Sequence, residues 1–241
     1  REVEKRMSRL GLSMQKVKAI FVSHEHSDHI KGIAVLSKKY QLMVFITPAV
    51  LKISNIGIAP HLASSFKAFE KICVGGLCIT TFPKYHDACD PYSFMISYKG
   101  INVGVFTDIG KICQNLTDHF RQCHAAFLEA NYDEDMLQNG NYPFHLKRRI
   151  SGGNGHLSNK EALSLFNNHR SKFLTHILLS HLSKNNNTPQ LVQELFDTHA
   201  KGVEIIVASR YSETAVFEIG RGKQIPIAIR QNYVQTQLCF E

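Results

Sequence analysis

Nowhere in these 241 residues does an apolar run approach the ~18–20 residues that cross a bilayer, so no membrane-spanning helix and no membrane partner are expected. No internal repeat, low-complexity stretch or domain linker interrupts the chain. A single domain over residues 1–241 is therefore expected, long enough to bury a full core. No CxxC pair occurs among the cysteines, which are Cys73, Cys78, Cys89, Cys113, Cys123 and Cys239. A chain of this length needs no disulfide, and scattered single cysteines fit a reducing cytosol, so a cytoplasmic location is expected. Cys73 and Cys78, on either side of the Gly-Gly turn in "CVGGLC", read as two small apolar strand residues. No signal peptide is visible, because Arg1–Leu10 is charged and helix-like. Acidic side chains are the scarcer charge: 20 Asp and Glu against 28 Lys and Arg leave a net charge of +8, which permits an anionic substrate such as nucleic acid without requiring one.

What is present is an ordinary globular pattern of alternating strands and helices. Arg1–Leu10 followed by Gly11 reads as a helix with a glycine stop. "VKAIFVS" (17–23) and "LMVFI" (42–46) read as strands, with a helix between them from about Ile30 to Tyr40 and another opened by Pro48. Residues 71–83 predict a hairpin turned at Gly75-Gly76. "YSFMISY" and "INVGVFTD" predict two strands joined at Lys99-Gly100. A helix is expected around 110–121, then the strand "AAFLEA" (125–130). Residues 131–157 are polar and Gly-rich and predict a long functional loop. Ser158 and Glu161 form a capping box that opens a helix. "FLTHILLS" (173–180) reads as a buried strand, Thr188-Pro189 as a helix start, and "VEIIVAS" and "TAVFEIG" as the last strands. Residues 221–241 have no reading. Hairpins early and alternation late suggest layered α/β packing with mixed sheets.

The densest chemistry lies in "FVSHEHSDHIKG" (21–32). Side chains two apart on an extended chain point the same way, so His24 and His26 aim together while Glu25 points away. Asp28 and His29 follow at the start of the next helix and face a neighbouring point. Imidazole and carboxylate suit Zn²⁺, Mn²⁺ or Fe. Other strand-like runs also finish in such residues: "CITTFPKY" before His86, "INVGVFT" before Asp108 and "FLTHILLS" before His181. A site at one end of a sheet explains why they do.

These residues resemble a known family. His24-x-His26-x-Asp28-His29 after a strand is similar to the HxHxDH signature of the metallo-β-lactamase superfamily, and His86, Asp108 and His181 follow in the family's order. "HDACDPYSF" (86–94), "LEANYDEDMLQNGNYPFHLKRRISGGNGHLSN" (128–159) and "LSHLSKNN" (179–186) resemble the YycJ/WalJ-like group within it, over roughly residues 1–219. The resemblance implies an αββα sandwich of two mixed β-sheets flanked by helices, and a nuclease activity, DNA exonuclease-like. It also implies a ligand set. His24, His26 and His86 would bind a first metal, Asp28, His29 and His181 a second, and Asp108 would bridge them. The family's opening β-hairpin does not appear in this numbering before the helix at Arg1, and the tail beyond Gly220 is left unassigned.

Hydrolysis assisted by two divalent ions, Zn or Mn with Fe as a further option, is the expected chemistry. Two ions ~3.5–4 Å apart can share a water and lower its pKa toward ~7. Asp28 would orient that nucleophile. His156 stands two residues before the Ser158 cap, where a helix N-terminus favours a phosphate, and would bind it or protonate a leaving oxygen. Gly152, Gly153 and Gly155 would let backbone approach a ligand. Lys147, Arg148 and Arg149 would contact a nucleic-acid backbone, or else form a solvated charge run. The alternatives are a glyoxalase-like thioesterase or lactonase on the same scaffold, and a non-catalytic metal-binding module. The ligands are His and Asp without Cys, whereas structural zinc sites are closed and often Cys-built, which favours catalysis.

Overall fold

The computed structural model describes residues 2–220. The first helix, α1 (Glu2–Arg9), stops at Gly11, whose φ of 69° suits a residue without a Cβ. The segments β1 (Ala19–Phe21), α2 (Ser27–Ile30), α3 (Ile33–Tyr40), β2 (Met43–Phe45), α4 (Pro48–Ser54) and β3 (Ala63–Ser64) follow. They build a small sheet of order β1-β2-β3, parallel throughout. Thr47 caps α4 by accepting from the Val50 N–H, and Pro48 takes the first helical position, where no N–H is needed.

A larger sheet begins with β4 (Lys71–Val74), β5 (Leu77–Pro83), β6 (Tyr92–Tyr98) and β7 (Ile101–Phe106), an antiparallel meander. Next come α5 (Gln114–Phe120), β8 (Ala125–Glu129), α6 (Glu134–Asn139), α7 (Phe144–Ser151) and α8 (Asn159–His169). The order closes with β9 (His176–Ser180), α9 (Pro189–Asp197) and β10 (Glu204–Val207). The seven strands lie in the order β10-β9-β8-β7-β6-β5-β4, parallel from β7 to β10.

Three apolar clusters define four layers. Ile20, Val22, Val44, Ile33 and Val50 lie between the small sheet and α3 and α4. Phe66, Ile79, Tyr92 and Phe94 lie between the sheets, with Phe21 stacked on Phe45 at 4.6 Å and edge-on to Phe94 at 5.8 Å. Phe106, Phe120, Phe166, Phe196, Leu128 and Ile177 fill the space between the large sheet and α5, α8 and α9. This is the expected αββα sandwich, with one sheet mixed and the other wholly parallel. Because β6 is antiparallel to both neighbours, β5 runs in the same direction as β7, β8 and β9. Their C-terminal ends therefore share one edge, and the Tyr92 N–H donating to Ser23 O at 2.9 Å brings the end of β1 to that edge too.

Four expectations are corrected. Residues 131–157 are not one loop. Asp133 accepts from Met136 N to start α6, and Pro143 starts α7. "TAVFEIG" forms no strand, since an apolar pattern becomes one only where a neighbour offers backbone hydrogen bonds. The Gly75-Gly76 turn places Cys73 directly opposite Cys78, with Cα atoms 4.0 Å apart, and the pair forms a disulfide instead of two thiols. Cys89, Cys113 and Cys123 are free, and Cys239 lies outside the described residues. The helix expected at 110–121 starts later, at Gln114.

Candidate metal centre

Three groups of ligand atoms converge at the shared strand edge: His24, His26 and His86; His24, His29 and Asp108; and Asp108, Glu129, His156 and His181. His24 Nε2 is 3.1 Å from His26 Nδ1, and His86 Nε2 is 3.4 Å from the same atom. Asp108 lies between the groups. Its Oδ1 is 3.4 Å from His181 Nε2 and 3.8 Å from His86 Nε2, and its Oδ2 is 3.7 Å from His29 Nε2. His24 and Asp108 are essentially buried, at 0% and 1% exposure.

The surrounding hydrogen bonds fix which imidazole nitrogen is free. His86 Nδ1 donates to Gly155 O at 2.9 Å, and His181 Nδ1 donates to Glu129 Oε1 at 2.7 Å. Both leave Nε2 as the atom facing Asp108 and the other ligands, where it offers a lone pair once the ring is neutral. The Gly155 contact depends on a close approach, because a Cβ there would lie 2.1 Å from Ile150 O. Glu129 is wholly buried and also accepts from His156 Nδ1 at 2.8 Å, Ile109 N at 2.6 Å and Leu157 N at 3.4 Å. Asn131 Nδ2 donates to His181 O at 2.7 Å. Asp108 and His181 both adopt left-handed backbone, at φ 54° and 60°. Such conformations are costly for residues other than glycine and cluster at functional sites.

Burial drives His24 far below the ordinary imidazole range, with the nearby Lys84 charge adding to it. Burial likewise lowers His29 and pushes His86 down to about 4. Burial alone would raise Asp108 and Glu129. For Asp108 the opposing charges of His181 and Lys84 win, and for Glu129 the hydrogen bond and charge of His156 win, holding it at about 2. His181 goes the other way. Burial opposes its charge, but Asp108 and the Glu129 hydrogen bond outweigh burial and raise it to about 9.

Imidazole nitrogens 3.1 and 3.4 Å apart, and a buried Asp108 Oδ2 that has no hydrogen-bond partner, fit a divalent cation. The model of the Beta-lactamase superfamily domain matches residues 2–177. The chain belongs to this superfamily. It is similar to exodeoxyribonuclease YycJ of Bacillus anthracis, at 30% identity over 190 residues, 76% of this chain and 70% of that protein. It is also similar to exodeoxyribonuclease WalJ of Streptococcus pneumoniae serotype 2, at 28% identity, covering 77% and 71% of the two chains. Among solved structures, the metallo-β-lactamase fold protein YhfI of Bacillus subtilis aligns with a TM-score of 0.65 at 17% identity, covering 86% of this chain and 80% of that one. This superfamily member is a metal-dependent hydrolase with the metallo-β-lactamase fold.

The superfamily fold brings His24, His26, His29, His86, Asp108, His156 and His181 together. Asp28 lies at the rim, outside those groups. Its side chain is 75% exposed and its Oδ2 is 3.6 Å from His29 Nε2. Glu25 turns away and accepts from Cys89 N at 2.8 Å. Of the basic run, only Arg149 reaches the site. It pairs with Asp87 at 2.5 Å and lines, with Leu146, Ile150, Gly155 and His156, a cavity of about 150 Å³. Lys147 donates to Gln138 O, and Arg148 lies over the Phe144 ring, because a helix turns each successive side chain by about 100°. Glu129 is the site residue that the sequence reading missed. Its signal was the rule used for the others, since β8 also ends in a ligand-capable residue. His176, mid-strand in the sequence reading, is satisfied by Glu204 at 3.1 Å.

These shifts set an expected pH profile for the metal-free protein. His86, at 6.5 when unfolded and about 4 when folded, contributes stability above pH 6.5 that is lost as pH falls toward 4, and His24 and His29 act in the same direction. His181, raised to about 9, contributes stability below 6.5 that is lost as pH rises through 9. In chelator, melting temperature should peak near neutrality and fall by roughly 5–10 °C at pH 5. A flat profile between pH 7 and 5 in thermal melts would contradict the burial of neutral imidazoles.

Proposed function

We propose that this hydrolase is a phosphodiesterase acting on nucleic acid, in the manner of a DNA exonuclease, with two divalent ions, Zn or Mn, in its active form. The observation that carries the reading is the continuous chain Asp108–His181–Glu129–His156 beside the Arg149 cavity. The printed names of the two exodeoxyribonuclease relatives support the substrate class. His24, His26 and His86 would hold one ion, and His29 and His181 the second. Asp108 would be shared, with Asp28 joining the second position from the rim. When bound, such ions act as Lewis acids toward a phosphoryl oxygen and acidify a water molecule.

The chain's own residues do the rest. Glu129 holds His156 by Nδ1, so Nε2 is the atom that exchanges a proton with a leaving oxygen. The same carboxylate holds His181 in its ligand tautomer, so one buried group orients both functions. Arg149, paired with Asp87 at the cavity, exchanges that partner for a substrate phosphate, where its planar fork suits two oxygens.

The test is a labelled panel of single- and double-stranded DNA and RNA, with a thioester, a lactone and bis-p-nitrophenyl phosphate alongside, in Mn²⁺, Zn²⁺ or chelator. The expected result is metal-dependent cleavage of nucleic acid, slowing as salt rises from 50 to 200 mM because phosphate contacts weaken. Turnover of the thioester or lactone with nucleic acid left intact would replace the nuclease reading. No turnover of any substrate would favour a non-catalytic metal-binding module.

A further inference from the structure

Leu146 and Ile150 stand about one helical turn apart on α7, so they share a face. Both are half-buried, yet neither belongs to any of the three apolar clusters that form the core. No residue of α7 is buried. The two side chains instead line the cavity of about 150 Å³, together with Asp87, Arg149, Gly155 and His156. Arg149 and Asp87 pair with each other there, which leaves the two aliphatic side chains as the cavity's apolar wall. The mechanism above makes no use of that wall.

Its position selects the occupant. His156 lines the cavity and is also the group that exchanges a proton with the leaving oxygen. Its ring centroid is 5.3 Å from that of His86 and 5.1 Å from that of His181. One ring therefore borders both the cavity and the ligand cluster. Since His156 Nε2 meets the leaving oxygen, the group carried by that oxygen lies on the His156 side of phosphorus, where the cavity is. Pockets that enclose a whole small molecule hold ~300–1,000 Å³, so this one admits a single ring system with the rest of the substrate outside. In nucleic acid the ring carried on the leaving side, through its sugar, is a base. Its flat faces suit aliphatic side chains, and Arg149 supplies the charge for the phosphate beside it. For a nucleic-acid substrate, the reading on which this rests, we propose that the α7 cavity is the subsite for the leaving nucleoside, with its base packed against Leu146 and Ile150.

The experiment is a cycle between protein and substrate. Short oligodeoxynucleotides carry a tetrahydrofuran abasic residue on one side or the other of the first bond cleaved. Each is compared with the intact strand in excess MnCl₂, for the wild type and for Leu146→Ala/Ile150→Ala. The products define the leaving side, which is the fragment released without the phosphate. Because α7 contributes no buried residue, the variant is expected to melt within roughly 3 °C of the wild type. In the wild type, loss of the leaving-side base should lower kcat/KM about 10-fold, and loss of the other base about 3-fold at most. In the variant the intact strand should itself lose about 10-fold, and removing the leaving-side base should then cost about 3-fold at most. Equal penalties for the abasic residue in the two proteins, or a penalty confined to the other side of the bond, overturn the subsite and leave the nuclease reading standing. If the double variant does not fold, Leu146→Ala alone decides by the same comparison. A wild type that cleaves no nucleic acid overturns the nuclease reading and the subsite together.

Discussion

Asp108→Ala is expected to lower the hydrolysis rate by about 10³-fold, some 4 kcal/mol of transition-state stabilisation, and to leave the purified protein with less than half the divalent metal of the wild type. It is the residue whose oxygens approach ligands from both sides, with Oδ1 3.8 Å from His86 and 3.4 Å from His181, and Oδ2 3.7 Å from His29. Glu129 cannot take over, since it is committed to two imidazoles and two backbone N–H groups. The check is elemental analysis and a rate measurement on the same preparation. A variant with full metal content and more than a tenth of the wild-type rate would remove Asp108 from the centre.

The second large effect is expected at Glu129→Gln. The substitution keeps the shape but replaces one charged acceptor with a neutral amide, half of which donates. Four hydrogen bonds converge on that carboxylate, so at least one N–H donor is left facing another. A loss of about 3 kcal/mol in stability is expected from disturbing a buried charged network. The rate should fall roughly 10²-fold, the usual scale when a group orienting a metal ligand is lost. Unlike Asp108→Ala, this variant should regain full metal occupancy in excess Mn²⁺ while the rate stays low, because His156 has lost its tautomer as well. Recovery of rate together with metal would confine Glu129 to supporting His181.

The chemistry was legible where it was local or where strand geometry made it so. His24 and His26 share a side because of extended backbone, and His86, Asp108 and His181 stand out because each ends an apolar strand. Glu129 ends β8 in the same way, but a lone glutamate in "FLEA" carries no cluster to mark it. The helix α6 was announced by Asp133, a good N-cap, inside a stretch otherwise rich in loop formers. Long-range placement was out of reach. The sequence spacing of Cys73 and Cys78 does not reveal a facing pair, and Lys147, Arg148 and Arg149 look equivalent until a helix sends them in different directions. "TAVFEIG" has strand composition, yet no strand edge receives it.

The left-handed backbone at Asp108 and His181 carries an evolutionary cost. Each position would relax with glycine or asparagine, so drift that merely eases the main chain erases a ligand. Selection of this protein for heat resistance alone, without an activity screen, should therefore accumulate substitutions at these two positions early, yielding hardier and inert descendants.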